Sequence, residues 1–575
     1  MFRQAIEPLP GRLLRAVGLR FGTNQRANKG ILTVRLYEDE RELAAWSLPA
    51  TRLEDNALRD FALDRPHVMR RNRVYAVTVS ESFRGRNGVA IWTDDTAEGV
   101  YEWNGEPRQA GVACYRLTYS EPGYAAAIAI ALAALLLLAL AVSWVKWRDG
   151  LRRRLTPAAL YCLIALLGMA AVLASFAFAR QDPWSRFFWF NTGESPYYHY
   201  ADTGMDFLNS IEYLKGNDPY AQWETIYPPL ANLLFRELYQ LVPEVQKSQW
   251  TDDFWSSILL RRGENDLRVW MPTMMLLMVF LVVATLLCYM IVVNYDRRRC
   301  RGLLAFTLVF SYGHLYAMER GNIIILSMAT ALFFVLYYDS PRRWVRELAL
   351  LSLAVSANLK LYPAVFGVLL LYDRRWREAL RAVIYGVALF LLPCLTFEHG
   401  LANLGLLVRY LFGFATRAVD GNLGTSLDKL CYSVLCLLRD TLNWPVSEEL
   451  CFAVGRWFNI VALPLCLLCG LGLGKKWQRV LCCALGFMLF SNQGVYGTIF
   501  IALPAVLFFE EERRFTPGNI APFVGIALCL TILPVFSEPG SDFSLGAFRL
   551  QIGLALLLGC VVVPAVRRRG KPSAG

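Results

Sequence analysis

The chain has 575 residues, of which 55% are hydrophobic and only 18% are charged, and its mean hydropathy is positive. Because the charged residues cluster between long apolar runs, this composition indicates a polytopic membrane protein and excludes a large soluble enzyme. The net charge of +12 does not indicate a nucleic-acid-binding protein. Its basic residues stand in short bursts between apolar segments, as topology signals do.

Residues 1–120 differ from the rest of the chain because apolar and polar residues alternate there with a period of two. The alternation is clear in ILTVRLYE, VYAVTVSE, GVAIWTD and CYRLTYSE, each bounded by turn-forming residues. It predicts a small all-β module, an antiparallel sandwich. No apolar signal sequence precedes the module. Since the topology below places it outside the membrane, we expect an upstream membrane segment that is missing from this chain.

Apolar segments dominate from Tyr124 onward and predict about 13 membrane segments, some of half length. They cover approximately residues 124–146, 157–180, 269–293, 303–317, 321–338, 348–359, 361–372, 382–397, 452–473, 480–491, 494–509, 519–536 and 548–566. The first would connect the β module to a helical membrane domain over residues 155–575.

Clusters of basic residues mark alternate connections between these segments. They are KWRDGLRRR, DRRRCR, SPRRWVR, DRRWREALR, KKWQR, EEERR and RRRGK. Because cytoplasmic connections carry an excess of Lys and Arg, all of them predict one orientation, with the C-terminus in the cytoplasm. The loops 181–268 and 398–451 and the β module would then face the outer side of the cell membrane.

Two of the apolar segments are too short to cross a bilayer. Residues 348–359 and 361–372, which Lys360 joins, would each rise about 18 Å against a hydrocarbon core of roughly 30 Å. Such helices persist only where protein or a water-filled cavity covers their ends. We therefore expect a cavity that opens to the outer side, with Lys360 near its floor.

The first outer loop contains YADTGMDFLNSIEY, residues 200–213, in which two acids lie four residues apart. On a helix, Asp202, Asp206 and Asn209 share one face, which predicts an amphipathic helix with its acids directed at water or at the cavity. A simpler interpretation is a capping box formed by Thr203 and Asp206. That interpretation does not account for Asp202.

Further along this loop, Tyr227 precedes two prolines and the run LANLLFRELYQLV, whose leucines recur at helical spacing. This pattern predicts a second surface helix with proline at its start. The helix is either a packing helix or the wall of a groove that admits a lipid tail.

Two cations are predicted at the outer side of the membrane segments. Arg320 lies in the turn MERGNI, beside Glu319 and Asn322, and Lys360 lies in SANLKLYP. Charges at such positions are costly and mark functional sites, although snorkelling or pairing with Glu319 is the alternative. Cations suit an anionic group such as a phosphate, and an acid suits a general base. This combination predicts sugar transfer from a lipid-linked phosphate.

The runs DTGMDFLNSIEYLKGNDPY and YPPLANLLF, followed by ERGNI and NLKLYP, resemble glycosyltransferase family 87 over approximately residues 155–510. Its members are polyprenol-phosphate-mannose-dependent mannosyltransferases with the GT-C membrane fold. The resemblance implies an inverting hexose transfer, with mannose as the expected sugar and without a metal or another cofactor. The expected partners are a polyprenyl-phosphate-linked sugar donor, a glycan or glycolipid acceptor and membrane lipids.

The resemblance also implies roles for single residues. By its spacing to Gly216, Asp202 matches the catalytic base of the family, and Asp206 stands where many relatives have an aromatic residue. We assign Asp202 and Asp206 as catalytic and the two cations as ligands of the donor phosphate. The remaining residues assigned to the substrate cavity are Asn209, Tyr227, Glu319, Asn322 and Tyr362.

The β module resembles sandwich modules attached to other bacterial membrane proteins of cell-envelope glycan assembly, over residues 19–40 and 53–63. Carbohydrate binding and a docking or scaffolding role both remain open for it.

Two other classes of function compete with a glycosyltransferase. A transporter or flippase of lipid-linked glycans would show repeated halves and charges at the membrane midplane, which this sequence does not display. A non-enzymatic envelope scaffold led by the β module would leave Asp202, Arg320 and Lys360 unexplained.

Overall fold

A computed structural model describes most of the chain, which divides into two compact units, Met1–Ile130 and Ala131–Gly575. The described residues are 2–6, 13–23, 28–53, 55–69, 73–82, 89–94, 101–104, 106–108, 112–120, 156–178, 204–214, 216–242, 271–295, 301–416, 424–442, 448–490, 495–532 and 545–569.

The first unit is built from antiparallel strands. The strands are β1 (Phe2–Ile6), β2 (Leu13–Gly22), β3 (Ile31–Glu38), β4 (Arg41–Pro49), β5 (Leu58–Val68), β6 (Tyr75–Glu81), β7 (Ala90–Ile91), β8 (Thr93–Asp94), β9 (Tyr101–Trp103), β10 (Glu106–Arg108), β11 (Val112–Ala113) and β12 (Tyr115–Ser120). One sheet has the order β10-β9-β1-β6-β3-β4, a second has the order β12-β2-β5 with β7 beside β2, and β8 pairs with β11.

Alternation along β3 explains how the sheets form a core. Leu32, Val34 and Leu36 are at most 2% exposed, and the residues between them face outward. They share one apolar cluster with Val17 and Phe61 of the second sheet. The prediction of an N-terminal β-sheet domain is therefore confirmed.

The second unit is helical. Its helices are α1 (Pro157–Phe178), α2 (Met205–Glu212), α3 (Pro229–Gln240), α4 (Met271–Tyr295), α5 (Arg301–Val309), α6 (Tyr312–Glu319), α7 (Ile324–Tyr337), α8 (Arg343–Leu359), α9 (Val368–Tyr372), α10 (Trp376–Cys394), α11 (Asn403–Thr416), α12 (Leu427–Leu442), α13 (Glu448–Leu471), α14 (Lys476–Phe490), α15 (Ala502–Glu511), α16 (Ile520–Leu530) and α17 (Leu545–Arg569). Short 3₁₀ helices occupy Tyr362–Gly367, Gly400–Ala402 and Val495–Ile501.

Two described helices are long and apolar enough to cross a membrane by length and composition, α4 over Thr273–Tyr295 and α17 over Gly546–Arg567. Six shorter apolar helices accompany them in the described part of the chain: Pro157–Ala171, Ile324–Tyr337, Tyr362–Tyr372, Gly400–Gly413, Trp457–Leu471 and Ile520–Leu530. These helices indicate membrane association, whereas the count of about 13 segments and their orientation stay predictions. The expected connecting segment 124–146 lies outside the described residues.

Several predicted segment boundaries are wrong. The segment 303–317 is interrupted, since α5 ends at Val309 and α6 begins at Tyr312. Helix α8 begins at Arg343 rather than at residue 348, because the charged run RWVRE continues the helix beyond the apolar part. Its 17 residues span about 25 Å, so α8 is longer than the expected half-length segment.

The predicted outer loop 398–451 is largely helical. It contains α11, α12 and the start of α13. Polar residues recur within these helices, so the segment looks like a loop when only hydropathy is considered. By contrast, the second short segment is short in the structure as well, with a six-residue 3₁₀ helix followed by the five residues of α9.

Helix α2 is held in place by its apolar face. Phe207, Leu208 and Ile211 are fully buried. The ring of Phe207 lies 5.9 Å from that of Phe235 on α3 and 5.5 Å from that of Phe280 on α4. The polar face of α2 is thereby directed at the turn between α6 and α7.

Candidate functional site

The turn after α6, residues 319–322, contains a left-handed backbone conformation that favours glycine. The N–H of Gly321 donates to the carbonyl of Met318 at 3.0 Å, and the N–H of Asn322 donates to that of Ala317 at 2.9 Å. These two bonds form a Schellman motif, in which the residue after the helix takes the left-handed conformation. Gly321 has a φ of 66°, which costs glycine no steric strain.

The start of α2 is bonded to this turn through its backbone. The N–H of Gly204 donates to the carbonyl of Glu319 at 2.7 Å, and the N–H of Asp206 donates to that of Arg320 at 2.9 Å. Two N–H groups that the helix start leaves unsatisfied are thereby paired. A Cβ on Gly321 would lie 2.8 Å from the Cβ of Phe207, so the two elements meet at van der Waals distance.

The side chain of Asp206 is bound by both residues that flank Gly321. The guanidinium of Arg320 donates from Nε to Oδ2 at 3.0 Å and from Nη2 to Oδ1 at 2.9 Å. The Asn322 amide donates from Nδ2 to the same Oδ2 at 2.6 Å. With only 15% of the Asp206 side chain and 21% of the Arg320 side chain exposed, this is a partly desolvated bidentate ion pair.

The capping-box interpretation of Asp206 also involves Thr203, which lies outside the described residues. Gly204 is the N-cap residue of α2, and no side-chain hydrogen bond from a described residue caps the helix. The carboxylate of Asp206 instead contacts a turn more than one hundred residues away in the sequence. The ion pair that the structure shows for Arg320 is with Asp206.

The charge of Asp206 is set by these neighbours. Burial raises the pKa of its carboxyl, but the Arg320 guanidinium, Lys360 and the Asn322 hydrogen bond together outweigh burial and lower the pKa below 3.8. The group is therefore ionised at neutral pH, and a carboxylate stabilised in this way is a weak proton acceptor.

Lys360, the residue after α8, brings a second cation to the same place. Its Nζ lies 4.4 Å from the ring centroid of Tyr227 and 6.0 Å from that of Tyr496, so the ammonium faces two aromatic rings. Lys360 also interacts electrostatically with both Asp206 and Arg320. The structure therefore brings the two predicted cations and one predicted acid together from three separate elements.

Three further predicted residues surround this cluster in different ways. Asn209 is half-buried on α2, and its Oδ1 has no hydrogen-bond partner among the described residues. The Tyr362 ring stacks on Phe487 at 5.0 Å, and its hydroxyl is likewise without a described partner. Glu319 is 9% exposed, and its carbonyl helps to hold α2.

Asp202, the predicted catalytic base, lies outside the described residues, as do residues 179–203 as a whole. Its distance to Asp206, Arg320 and Lys360 is therefore not part of the described geometry.

Sequence reasoning missed two tyrosines of the cluster. Tyr316 and Tyr496 stack with their ring centroids 5.9 Å apart and their planes 22° apart. One signal was available, because Tyr316 lies four residues before Arg320 on α6 and so on the same face of that helix. Tyr496 lies in the predicted apolar segment 494–509, and nothing in its sequence context distinguishes it.

An apolar groove lies between α8, α9 and α10. Its volume is 530 Å³, and the residues on either side of Lys360 that line it are Asn358 and Leu361. The Asn358 Nδ2 donates to the carbonyls of Ala354 at 2.8 Å and Gly386 at 3.0 Å. The other lining residues are Leu353, Ala354, Ala357, Ala364, Gly367, Val368, Leu370, Leu371, Ala379, Ala382, Val383, Gly386, Val387, Phe390 and Leu391.

Within the described part of the chain, Asp218, Glu398 and His399 place potential metal-ligating atoms within 4.8 Å of one another. Glu398 and His399 are exposed. None of the three residues is among those that bind Asp206. We assign no metal to this cluster.

A family match covers part of the described site. The sequence model of glycosyltransferase family 87 matches residues 226–491, which include Tyr227, Arg320 and Lys360 but neither Asp206 nor Tyr496. A comparison with curated proteins gave no match. The resemblance seen in the motifs is confirmed over residues 226–491, which match the model of glycosyltransferase family 87, and this family match indicates a glycosyltransferase.

Proposed function

We propose that the protein transfers a hexose, mannose in the first instance, from a polyprenyl-phosphate sugar to an envelope glycan or glycolipid acceptor. The reaction takes place at the outer side of the cell membrane and inverts the anomeric configuration. The observation that carries the proposal is Lys360, which interacts with Arg320 and stands in the chain between Asn358 and Leu361, two residues that line an apolar groove.

The donor combines an anionic phosphate with a long apolar chain. The two cations suit the phosphate, and the groove suits the chain. The phosphate lies against the ammonium of Lys360, with the guanidinium of Arg320 beside it. The first isoprene units occupy the groove that Asn358 and Leu361 open. In this arrangement the two cations neutralise the charge that develops on the leaving phosphate, so the proposed reaction requires no metal ion.

The two acids then have different tasks. Asp206 is committed to Arg320 and Asn322, and it orients the guanidinium toward the donor. Asp202 is the proposed general base. Its carboxylate takes the proton of the acceptor hydroxyl, the hydroxyl oxygen forms a bond to the anomeric carbon, and the bond from that carbon to the phosphate oxygen breaks. The electron pair leaves with the polyprenyl phosphate.

The test is sugar transfer from a polyprenyl-phosphate-hexose by the purified full chain in proteoliposomes. Asp202→Asn should lose about 10²- to 10⁴-fold in rate while it still binds donor, because one positioned base contributes a factor of that size. Asp206→Asn should cost less. An inactive Asp206→Asn variant beside an active Asp202→Asn variant would reverse the assignment, and full activity of both would remove the acids from the mechanism.

The competing function is transport of lipid-linked glycans, and the same proteoliposomes distinguish it. Movement of the lipid-linked sugar across the bilayer without transfer to an acceptor would contradict the proposal. The β-sheet domain would serve either function by binding carbohydrate or by docking a partner of the glycan assembly system.

A further inference from the structure

Two basic residues followed by tryptophan occur at the start of three helices. Arg342-Arg343-Trp344 begins α8, Arg374-Arg375-Trp376 begins α10, and Lys475-Lys476-Trp477 begins α14. The three tripeptides have the same kinds of side chains within one residue of the same helical position, so their different surroundings can be compared.

The copy at α14 is satisfied within the protein. Lys476 pairs with Asp339 at 2.8 Å, and Lys475 pairs with Glu512. Trp477 is 2% exposed. Both charges of this copy are therefore paired with acids of the protein, and its indole ring is buried.

The copies at α8 and α10 are not satisfied in this way. Trp344 is 65% exposed and Trp376 is 63% exposed. Arg342, Arg343 and Arg374 are exposed, and none of them makes an ion pair with a described residue. The same is true of a further arginine on the first turn of α10, Arg377.

The two unsatisfied copies belong to one surface. Arg381 of α10 pairs with Glu347 of α8 at 2.6 Å, close to the start of both helices. Arg343 lies four residues before Glu347, and Arg377 lies four residues before Arg381, so each arginine is on the face of its helix that carries this pair. We call the six exposed residues the double-arginine patch: Arg342, Arg343, Trp344, Arg374, Trp376 and Arg377.

The patch borders an exposed apolar surface. Leu348 on α8 and Leu380, Val383 and Ile384 on α10 are between 43% and 62% exposed. They follow directly on the tripeptides along the two helices. Basic residues and exposed indoles at the edge of an apolar helical surface are the arrangement found at a membrane interface.

We propose that the double-arginine patch binds the headgroup of an anionic phospholipid, whose acyl chains lie along the exposed apolar residues of α8 and α10. Arginine binds a phosphodiester through paired hydrogen bonds, and an anionic headgroup supplies the charge that the patch lacks within the described chain. Indole rings favour the headgroup level of the bilayer. The contrast with α14, where acids of the protein fill the same role, is the observation that carries the proposal.

The experiment compares two lipids on the purified full chain in detergent. Phosphatidylglycerol and phosphatidylcholine with identical acyl chains are titrated separately, and lipid retention is measured by native mass spectrometry beside the midpoint of thermal unfolding. Only phosphatidylglycerol should be retained and raise the midpoint. The double variant Arg343→Gln/Arg377→Gln should weaken its apparent affinity on the order of 10- to 30-fold, at about fivefold for each arginine near an anionic surface.

The matched control removes the same charge elsewhere. Arg301 and Arg513 are exposed, and Arg301→Gln/Arg513→Gln should bind phosphatidylglycerol as the parent chain does. Equal weakening by both double variants would show a general charge effect and overturn the proposal. Equal retention of phosphatidylcholine, or an equal shift of the midpoint by free glycerol phosphate, would overturn it as well.

Discussion

Asp206 is the residue on which the local geometry of the site depends. Its backbone N–H binds the carbonyl of Arg320, and its carboxylate binds the guanidinium of the same residue and the amide of Asn322. One acid therefore fixes both the start of α2 and the direction of a cation. A functional guanidinium needs such an orienting partner, because an arginine side chain otherwise loses considerable rotamer entropy when it binds.

The ion pair of Asp206 makes the stability of the protein depend on pH. Because its folded-state pKa is lowered, the carboxylate contributes stability that is present above the ordinary carboxyl pKa and is lost as the pH falls through the lowered value. Asp206→Asn should thus lower the free energy of unfolding by about 3 kcal/mol at neutral pH, at the lower end for a buried pair. The penalty should shrink below about pH 4, as the parent carboxyl protonates.

Thermal unfolding of parent and variant at several pH values measures this effect. Asp339→Asn is the control, because its ion pair with Lys476 leaves 41% of the aspartate exposed and should cost less than about 1 kcal/mol. A penalty for Asp206→Asn that stays constant or grows as the pH falls below about 4 would contradict the assignment of a lowered pKa.

Lys360 is predicted to act on the donor rather than on the fold. Lys360→Ala removes a partly desolvated contact to the proposed phosphate, worth on the order of 1.5–3 kcal/mol, so donor use should weaken about 10- to 100-fold. Lys476→Ala is the matched control, since its Nζ also lies over a tyrosine ring, at 4.5 Å from Tyr338. Initial rates against donor concentration measure both. A folded and fully active Lys360→Ala variant would show that the lysine only snorkels.

At the scale of elements, the Schellman turn after α6 is the device that brings α2 to the site. Gly321→Ala should destabilise the protein twice, through the left-handed backbone and through the approach of the new methyl group to the Cβ of Phe207 at 2.8 Å. Because Arg320 flanks this glycine, transfer activity should fall together with the unfolding midpoint.

Gly400→Ala separates the two effects. Gly400 also has a positive φ, 51°, but a Cβ there would meet no atom within 4 Å. It should therefore show only the backbone cost, about 1 kcal/mol, and keep its activity. Equal midpoints for Gly321→Ala and Gly400→Ala would show that the contact between the turn and α2 is not tight.

Hydropathy located most helices of the membrane unit, since burial against protein or lipid leaves an apolar signal in either case. It did not reveal the break at Phe310 and Ser311, because both flanking helices are apolar. It also placed the start of α8 five residues too late, since RWVRE is helical without being apolar. Such boundaries depend on tertiary packing and on caps rather than on composition.

The sequence motifs identified Arg320 and Lys360, since charges near apolar segment ends are conspicuous. They could not reveal that Arg320 pairs with Asp206, which lies 114 positions away. The two interpretations open for Asp206, a helix cap and a catalytic acid, both describe local chemistry. Chain topology brings Arg320 to Asp206, and neither interpretation takes chain topology into account.

At the scale of the whole molecule, the family match and the described site overlap only in part. Residues 226–491 supply the two cations and Tyr227, whereas Asp206 precedes this segment and Tyr496 follows it. The cluster around Lys360 therefore depends on the fold of the complete helical unit. The β-sheet domain has its own apolar core, which contains residues of both its main sheets.

The orientation of the helical unit in the membrane is the prediction on which the proposed site of reaction depends. The basic clusters place the first turns of α8, α10 and α14 in the cytoplasm and α3 on the outer side. Glu237 on α3 is 53% exposed as a side chain, and Arg513 after α15 is 71% exposed, so either position can be labelled without unfolding. In intact cells, a membrane-impermeant maleimide should label a Glu237→Cys variant above the level of the parent chain. It should label an Arg513→Cys variant only after permeabilisation.

Labelling of Arg513→Cys but not of Glu237→Cys in intact cells would invert the topology. Since the donor cluster lies beside α3, through Tyr227, that result would move the proposed transfer to the cytoplasmic face.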